Sequence, residues 1–223
     1  MKYIIIIGDG MADYNIPELS NKTPLMVAKK PHMDYMAKHG VVGYSANVPE
    51  GMVPESDTAN LAIMGYDPKI YSKGRSPLEA LSMGIDMAEN ETAYRINTVA
   101  LTENDCPYEE QVILDHSADE ISTEESTELV NTLQEKMGDE FKTYHPGISY
   151  RHCLIWKDAP EVIDFARPHD HLGKVIKDYL PSGKVGAPYL EIMEKSYEIL
   201  KNHPVNLKRK AQGKLPANSL WIW

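Results

Sequence analysis

Ser56 follows a loop that holds Gly51 and two prolines, Pro49 and Pro54, and it opens an apolar helical pattern that ends at Gly65. A serine in the first turn of a helix has backbone N–H groups and the positive dipole end beside it, which favours an anion such as phosphate. Its hydroxyl becomes a useful nucleophile only when a base or a metal takes the proton. Asp9, bracketed by Gly8 and Gly10 after four consecutive isoleucines, could help to hold such a metal. The plainer alternatives are an N-cap for Ser56 and an ordinary strand-to-loop turn for Asp9.

Three arginines stand apart in sequence beside ordered patterns: Arg75, Arg95 and Arg151. The planar guanidinium matches carboxylate and phosphate, so convergence of these three would suit a phosphorylated acid; singly, each fits a surface ion pair. His169-Asp170-His171 is a compact cluster that could bind a metal, donate protons or sit in a solvated loop. Its two histidines are two residues apart and could not share a helix face, so a loop role is favoured. Gly8-Asp9-Gly10 is not a dinucleotide fingerprint, because position 13 is Asp. Walker, zinc-protease and nucleophile-elbow motifs do not occur.

The elements that must carry these residues follow from periodicity. Residues 4–7 are β-branched and apolar on both faces, as in a strand covered on both sides, whose carboxyl end is where ligands sit in open α/β sheets. Thr23-Pro24 opens a helix that Pro31 should kink or divide and Gly40 ends, and residues 41–45 read as the next strand, completing a βαβ unit. A short helix begins at Ser56 or Asp57. Ser76-Pro77-Leu78-Glu79 reads as the capping box of another, closed by Gly84.

From Ala93 the texture changes. Residues 93–101 alternate like a strand, residues 112–114 form a short one, and Ser122 caps a helix carrying Leu129, Val130, Leu133 and Met137. Residues 148–156 alternate again. Strand, strand, helix, strand marks an α+β unit inserted into an α/β chain. The expected organisation is therefore a first domain from residues 1–91 and 186–223, with an insert at 92–185. A final helix spans 187–201, and the terminal Leu220-Trp221-Ile222-Trp223 reads as a buried strand cut as it re-enters the first domain.

The chain has 223 residues, 42% apolar and 25% charged, enough to bury a core. A net charge of −10 without any basic block argues against a nucleic-acid or anionic-membrane partner. Cys106 and Cys153 have no metal spacing and form no disulfide framework, which points to a reducing, cytoplasmic home. The apolar run at residues 3–7 is too short for a signal core or a membrane span.

Six ordered segments, Gly8-Asp9-Gly10-Met11, Lys22-Thr23-Pro24-Leu25, Pro54-Glu55-Ser56-Asp57-Thr58-Ala59-Asn60, Gly65-Tyr66-Asp67-Pro68, Gly74-Arg75-Ser76-Pro77-Leu78-Glu79-Ala80 and Tyr94-Arg95-Ile96-Asn97, together resemble one family. They look like the archaeal-type, cofactor-independent phosphoglycerate mutases of the alkaline phosphatase superfamily. Arg167-Pro168-His169-Asp170-His171 and Gly213-Lys214-Leu215-Pro216-Ala217-Asn218 fit as well. The resemblance implies an incomplete phosphatase-like parallel-sheet domain with a smaller inserted α+β domain, and two divalent metals (manganese, zinc or magnesium). It implies that Ser56 takes phosphate from 3-phosphoglycerate and returns it to the 2-hydroxyl of the same glycerate. Asp9 and Ser56 match metal-ligand positions, and Arg75, Arg95, Arg151, His169 and Asp170 fall where the insert should grip substrate. Family members run to about twice this length, so the chain is expected to be inactive alone, its remaining metal ligands lying elsewhere. The rival expectations are a homoserine kinase-like phosphotransferase and a non-catalytic binding module.

Overall fold

The computed structural model describes every residue except Met1, Asp9, Lys73 and Val162. The chain divides into two units, Met1–Asn47 and Val48–Trp223.

In the first unit, Pro31 divides the expected helix into α1 (Pro24–Val27) and α2 (Pro31–His39), with a proline at the start of each. Thr23 caps α1, its Oγ1 accepting from the Met26 N–H at 3.2 Å. The strands expected at residues 4–7 and 41–45 are not formed among the described residues. Ile4 and Ile6 are 84% and 83% exposed, and Val41 and Tyr44 are fully exposed. The reason is physical: an all-apolar strand needs hydrogen-bonded neighbours on its edges and cover on both faces, and two short helices supply neither.

The second unit is built on an antiparallel sheet ordered β2 (Ile113–Asp115), β1 (Glu91–Leu101), β4 (Arg151–Lys157), β3 (Lys142–His145), with β5 (Ser219–Ile222) also pairing β1. The long central β1 pairs β4 over residues 91–97 and β5 over residues 96–99. Side chains alternate across the sheet. Tyr94, Ile96, Leu154, Trp156, Leu220 and Ile222 join the main core, which α6 (Thr123–Met137) and α7 (Gly183–Leu200) complete with Leu129, Leu133, Met193 and Tyr197. Ala93, Cys153 and Ile155 form a second cluster with Ala80 of α5 (Arg75–Ser82). Helices thus cover both faces, and the α/β class holds. Two further helices, α3 (Ser56–Ile63) and α4 (Pro68–Tyr71), precede α5.

Several expectations are met by α6: Ser122 caps it, accepting from the Glu125 N–H at 3.2 Å, and its four named apolar residues are buried. Two differ. The strand expected at 148–156 starts only at Arg151, because Ser149 takes a left-handed φ of 56°. The placement of residues 186–223 also changes. Expected in the first domain, they contribute β5, which is hydrogen-bonded to β1, and α7, which packs on β5, so they share a sheet with the expected insert. Leu220, Trp221 and Ile222 are apolar because they are buried there. The compact division falls at Asn47 and Val48 instead of at residue 91.

The core also sets a pH response. His152 is 2% exposed; its Nδ1 accepts from the Gly147 N–H at 3.0 Å, leaving Nε2–H to donate to Thr98 Oγ1 at 3.4 Å. Burial pushes its pKa down to about 3. In the unfolded chain an imidazole titrates near 6.5, so below that pH the unfolded state takes up a proton that the fold refuses. Stability contributed at neutral pH is therefore lost as pH falls from about 6.5 towards 3. Between pH 6.5 and 5 this amounts to about 1.6 kcal/mol, because the unfolded imidazole is half protonated at the upper limit and almost fully protonated at the lower, and the limiting slope is about 1.36 kcal/mol per pH unit. Urea melts at the two pH values check it: His152→Asn, whose Oδ1 can still accept from Gly147, should lose less than the wild type over that interval, and parallel losses would refute the assignment.

Candidate functional site

Three elements of the second unit meet at a cavity of about 360 Å³: the start of α3, the start of α5, and the β1–β5 edge with residues 163–169. The sheet's alternation explains what reaches it. Arg95 lies on the same face of β1 as Ala93, the face that α5 covers. Gly74, at φ 94° and ψ 167°, holds a backbone conformation open mainly to glycine, and this sets Arg75 as the first residue of α5. Ser76 does not cap that helix as a box, contrary to expectation; its Oγ accepts from the Arg95 N–H at 3.1 Å, tying α5 to β1. Glu79, the other half of the expected box, is engaged by arginines instead.

The electrostatics centre on Arg95. Its side chain is 8% exposed, and Nη1 lies 3.3 Å from Glu79 Oε1. Arg75 Nη2 bonds the same Oε1 at 3.2 Å, so one carboxylate oxygen serves two guanidinium groups. Arg95 Nε and Nη1 make no hydrogen bond among the described residues. Burial lowers the Arg95 pKa from its ordinary value, Glu79 opposes this, and the nearby charges of Arg75 and Arg151 add to the lowering. A buried guanidinium short of acceptors is the donor set that an entering anion would satisfy.

Ser56 is the first residue of α3, with Glu55 before it in the N-cap position, so its hydroxyl does not cap the helix. It is exposed and lines the cavity. His169 lines it too. Burial, together with His116, Arg167 and Arg95, holds its pKa below the ordinary histidine value against the opposing charge of Asp170, so at pH 7 the ring is neutral.

Of the residues singled out in the sequence, Ser56, Arg75, Arg95 and His169 line this one cavity. Asp170 does not: its Oδ1 is 3.8 Å from His169 Nε2 and its side chain is 58% exposed. Arg151 also falls outside the lining; it is exposed, with its guanidinium 5.4 Å over the Tyr150 ring. Asp9 lies outside the described residues. The lining includes residues that were not singled out: Arg167, ion-paired with Glu55, Asp164, and Trp223, whose ring lies 4.3 Å from the Arg95 guanidinium. Arg167 sits two residues before His169 in a quoted motif, and that adjacency could have flagged it. Trp223 gives no such signal, because only the pairing of β5 with β1 places it beside Arg95.

A pair of divalent ions needs several carboxylate or imidazole ligands for each metal. Among the described residues no group of three or more His, Cys, Asp or Glu is placed to hold one. The described donors therefore do not fit a two-metal centre.

Comparison with known proteins gives a consistent answer. The sequence model of 2,3-bisphosphoglycerate-independent phosphoglycerate mutase matches residues 37–206. A Methanosarcina barkeri protein bearing that name is 47% identical over 224 residues, covering 100% of this chain and 54% of the relative. The solved cofactor-independent phosphoglycerate mutase of Thermoplasma acidophilum superposes with a TM-score of 0.54 at 29% identity, covering 96% of this chain and 56% of that one. The solved PH0037 protein of Pyrococcus horikoshii gives 0.67, also at 29% identity, over 96% and 48%. The chain spans about half the length of the curated relatives it matches. On these matches the chain belongs to the 2,3-bisphosphoglycerate-independent phosphoglycerate mutase family.

Proposed function

We propose that this chain forms the substrate-gripping and phosphoryl-accepting part of a phosphoglycerate mutase acting on 3-phosphoglycerate. The observation that carries the reading is the meeting of Ser56, Arg75, Arg95 and His169 on a single cavity. In this scheme Ser56 Oγ attacks the phosphorus of 3-phosphoglycerate, the P–O bond to C3 breaks, and glycerate gains the proton that the serine gives up. The arginines keep the glycerate in place while it turns. Its 2-hydroxyl then attacks the phosphoserine, releasing 2-phosphoglycerate and restoring the Ser56 hydroxyl. Arg151 and Asp170 belong to this grip only as outer charges, given their positions outside the lining.

A serine hydroxyl is a weak nucleophile without strong activation. Two divalent metals, as the family implies, would supply that activation, and Asp9 and Ser56 remain the proposed ligands contributed from this chain. Since the described donors do not complete such a centre, the chain alone is proposed to bind substrate without turning it over. The setting is proposed to be cytoplasmic glycolysis or gluconeogenesis. Support comes from two free cysteines, and among the described residues no helix is long and apolar enough to cross a membrane.

Calorimetry with 3-phosphoglycerate, alongside a coupled assay for 2-phosphoglycerate, tests both parts. Saturable binding without turnover is expected. Absence of binding would remove the functional reading, and stoichiometric phosphorylation of Ser56 by the isolated chain would refute its inactivity.

A further inference from the structure

Trp223 follows β5, and its backbone N–H donates to the Arg95 carbonyl at 3.0 Å. That register puts the indole on the face of the sheet where Arg95 stands. The ring centroid lies 4.3 Å from the Arg95 guanidinium carbon, close enough for face-on cation–π stacking. The indole is itself held, because Nε1–H donates to Oδ1 of the fully buried Asn97 at 3.1 Å, and Asn97 Nδ2 donates in turn to the His116 carbonyl at 3.3 Å. Its other neighbour is His169, at 5.3 Å in an edge-on arrangement. Among the described residues Arg75 has no such stacking partner, and its side chain is 42% exposed.

The two arginines of the cavity are therefore unlike. Arg95 is a buried fork with one face covered by the indole and Nη1 drawn towards Glu79, which leaves its in-plane N–H edge as the donor set for a ligand. A carboxylate is planar and pairs with a guanidinium in that plane, whereas a tetrahedral phosphoryl group tolerates many approaches. We propose that Trp223 is a positioning residue that fixes the plane of Arg95, so that Arg95 reads the carboxylate of the substrate, while the more exposed Arg75 is left for the phosphoryl end. This rests on the functional reading above, and it adds what that reading does not contain: a residue that makes the site prefer phosphorylated acids to plain phosphate esters.

The test is calorimetric titration of the chain with two ligands, 3-phosphoglycerate and glycerol 3-phosphate, which lacks the carboxylate. The wild type should prefer the acid. Trp223→Ala should cut that preference about tenfold, the scale of a desolvated cation–π contact, while moving glycerol 3-phosphate affinity by no more than about twofold. Trp223→Phe keeps a π face and should keep most of the preference; Trp223→Leu keeps bulk without one and should lose it. The Phe and Leu variants carry the test if the alanine variant does not fold. An unchanged preference in Trp223→Leu, or equal losses for both ligands, would overturn the proposal and leave the functional reading intact. A wild type that binds neither ligand would overturn both.

Discussion

Replacing Arg209 by methionine is expected to destabilise the second unit by about 3–5 kcal/mol, the usual loss when one partner of a buried ion pair is removed. Arg209 lies in α8 (Pro204–Ala211) and is 2% exposed, yet it carries a full charge into the interior. Every arm of its guanidinium is used. Nη1 pairs with Glu125 in the first turn of α6, Nη2 donates to the Ala118 carbonyl at 2.5 Å, and Nε donates to the Leu215 carbonyl at 2.9 Å. The Ala118 contact has particular weight, because Ala118, Asp119 and Glu120 take φ values of 49°, 56° and 48° in succession. Side chains with a Cβ resist that region by roughly 1–2 kcal/mol each, so the turn needs outside support. Methionine fills much of the space but leaves two carbonyls and a carboxylate without their donor. Arg209→Lys keeps the charge and loses the fork, so it should fall between methionine and wild type. Urea denaturation of the three proteins at pH 7 decides it; a methionine variant within about 1 kcal/mol of wild type would show that the network is dispensable.

How far the sequence could be read depends on whether a signal is local. The capping of α6 by Ser122, its apolar stripe, and the break at Pro31 all arise within one turn of chain, and each is where the pattern put it. Ser76 and Glu79 had the right spacing for a capping box, but tertiary partners outcompeted the cap: the Arg95 backbone took the hydroxyl and two arginines took the carboxylate. The isoleucines at 4–7 carry the composition of a buried strand, but composition supplies neither neighbours nor cover, and they stand exposed. Residues 219–222 show the reverse. Their burial was legible, while their partner was not, because pairing with β1 across more than a hundred residues leaves no periodicity to detect. Helix α8 was not anticipated, since its N-cap is His203, whose Nδ1 accepts from the Val205 N–H at 3.2 Å.

The same division holds in the site. Ser56, Arg75, Arg95 and His169 were marked by residue type, and the fold brings them to one cavity. Arg151 was marked by the same reasoning and falls outside it. On β4 it pairs in register with Asn97, one alternation step beyond the Arg95–Cys153 pair, and its side chain is spent on Tyr150 and solvent. Residue type nominates a guanidinium for anion binding, but only register decides whether it arrives.

The largest functional effect should come from Ser56→Ala. If Ser56 Oγ carries the phosphoryl group, removing it deletes the covalent path itself, and nucleophile deletions of this kind lower turnover by about 10⁴-fold or more. The chain spans about half the length of its curated relatives, so the measurement needs a complete catalytic frame. A chimera supplies one: this chain replaces the matched 54% of the Methanosarcina barkeri relative, to which it is 47% identical. The chimera with Ser56 is expected to interconvert 3- and 2-phosphoglycerate and to yield a phosphopeptide containing Ser56 on acid quench. The Ser56→Ala chimera should lose both signals while still binding 3-phosphoglycerate, because Arg75, Arg95 and His169 remain in the cavity. Ser56→Thr keeps a hydroxyl but adds a methyl at the first residue of α3, and it should retain a small residual rate if geometry, as well as chemistry, governs the transfer. Turnover by the alanine chimera within tenfold of its parent would exclude Ser56 as the phosphoryl carrier.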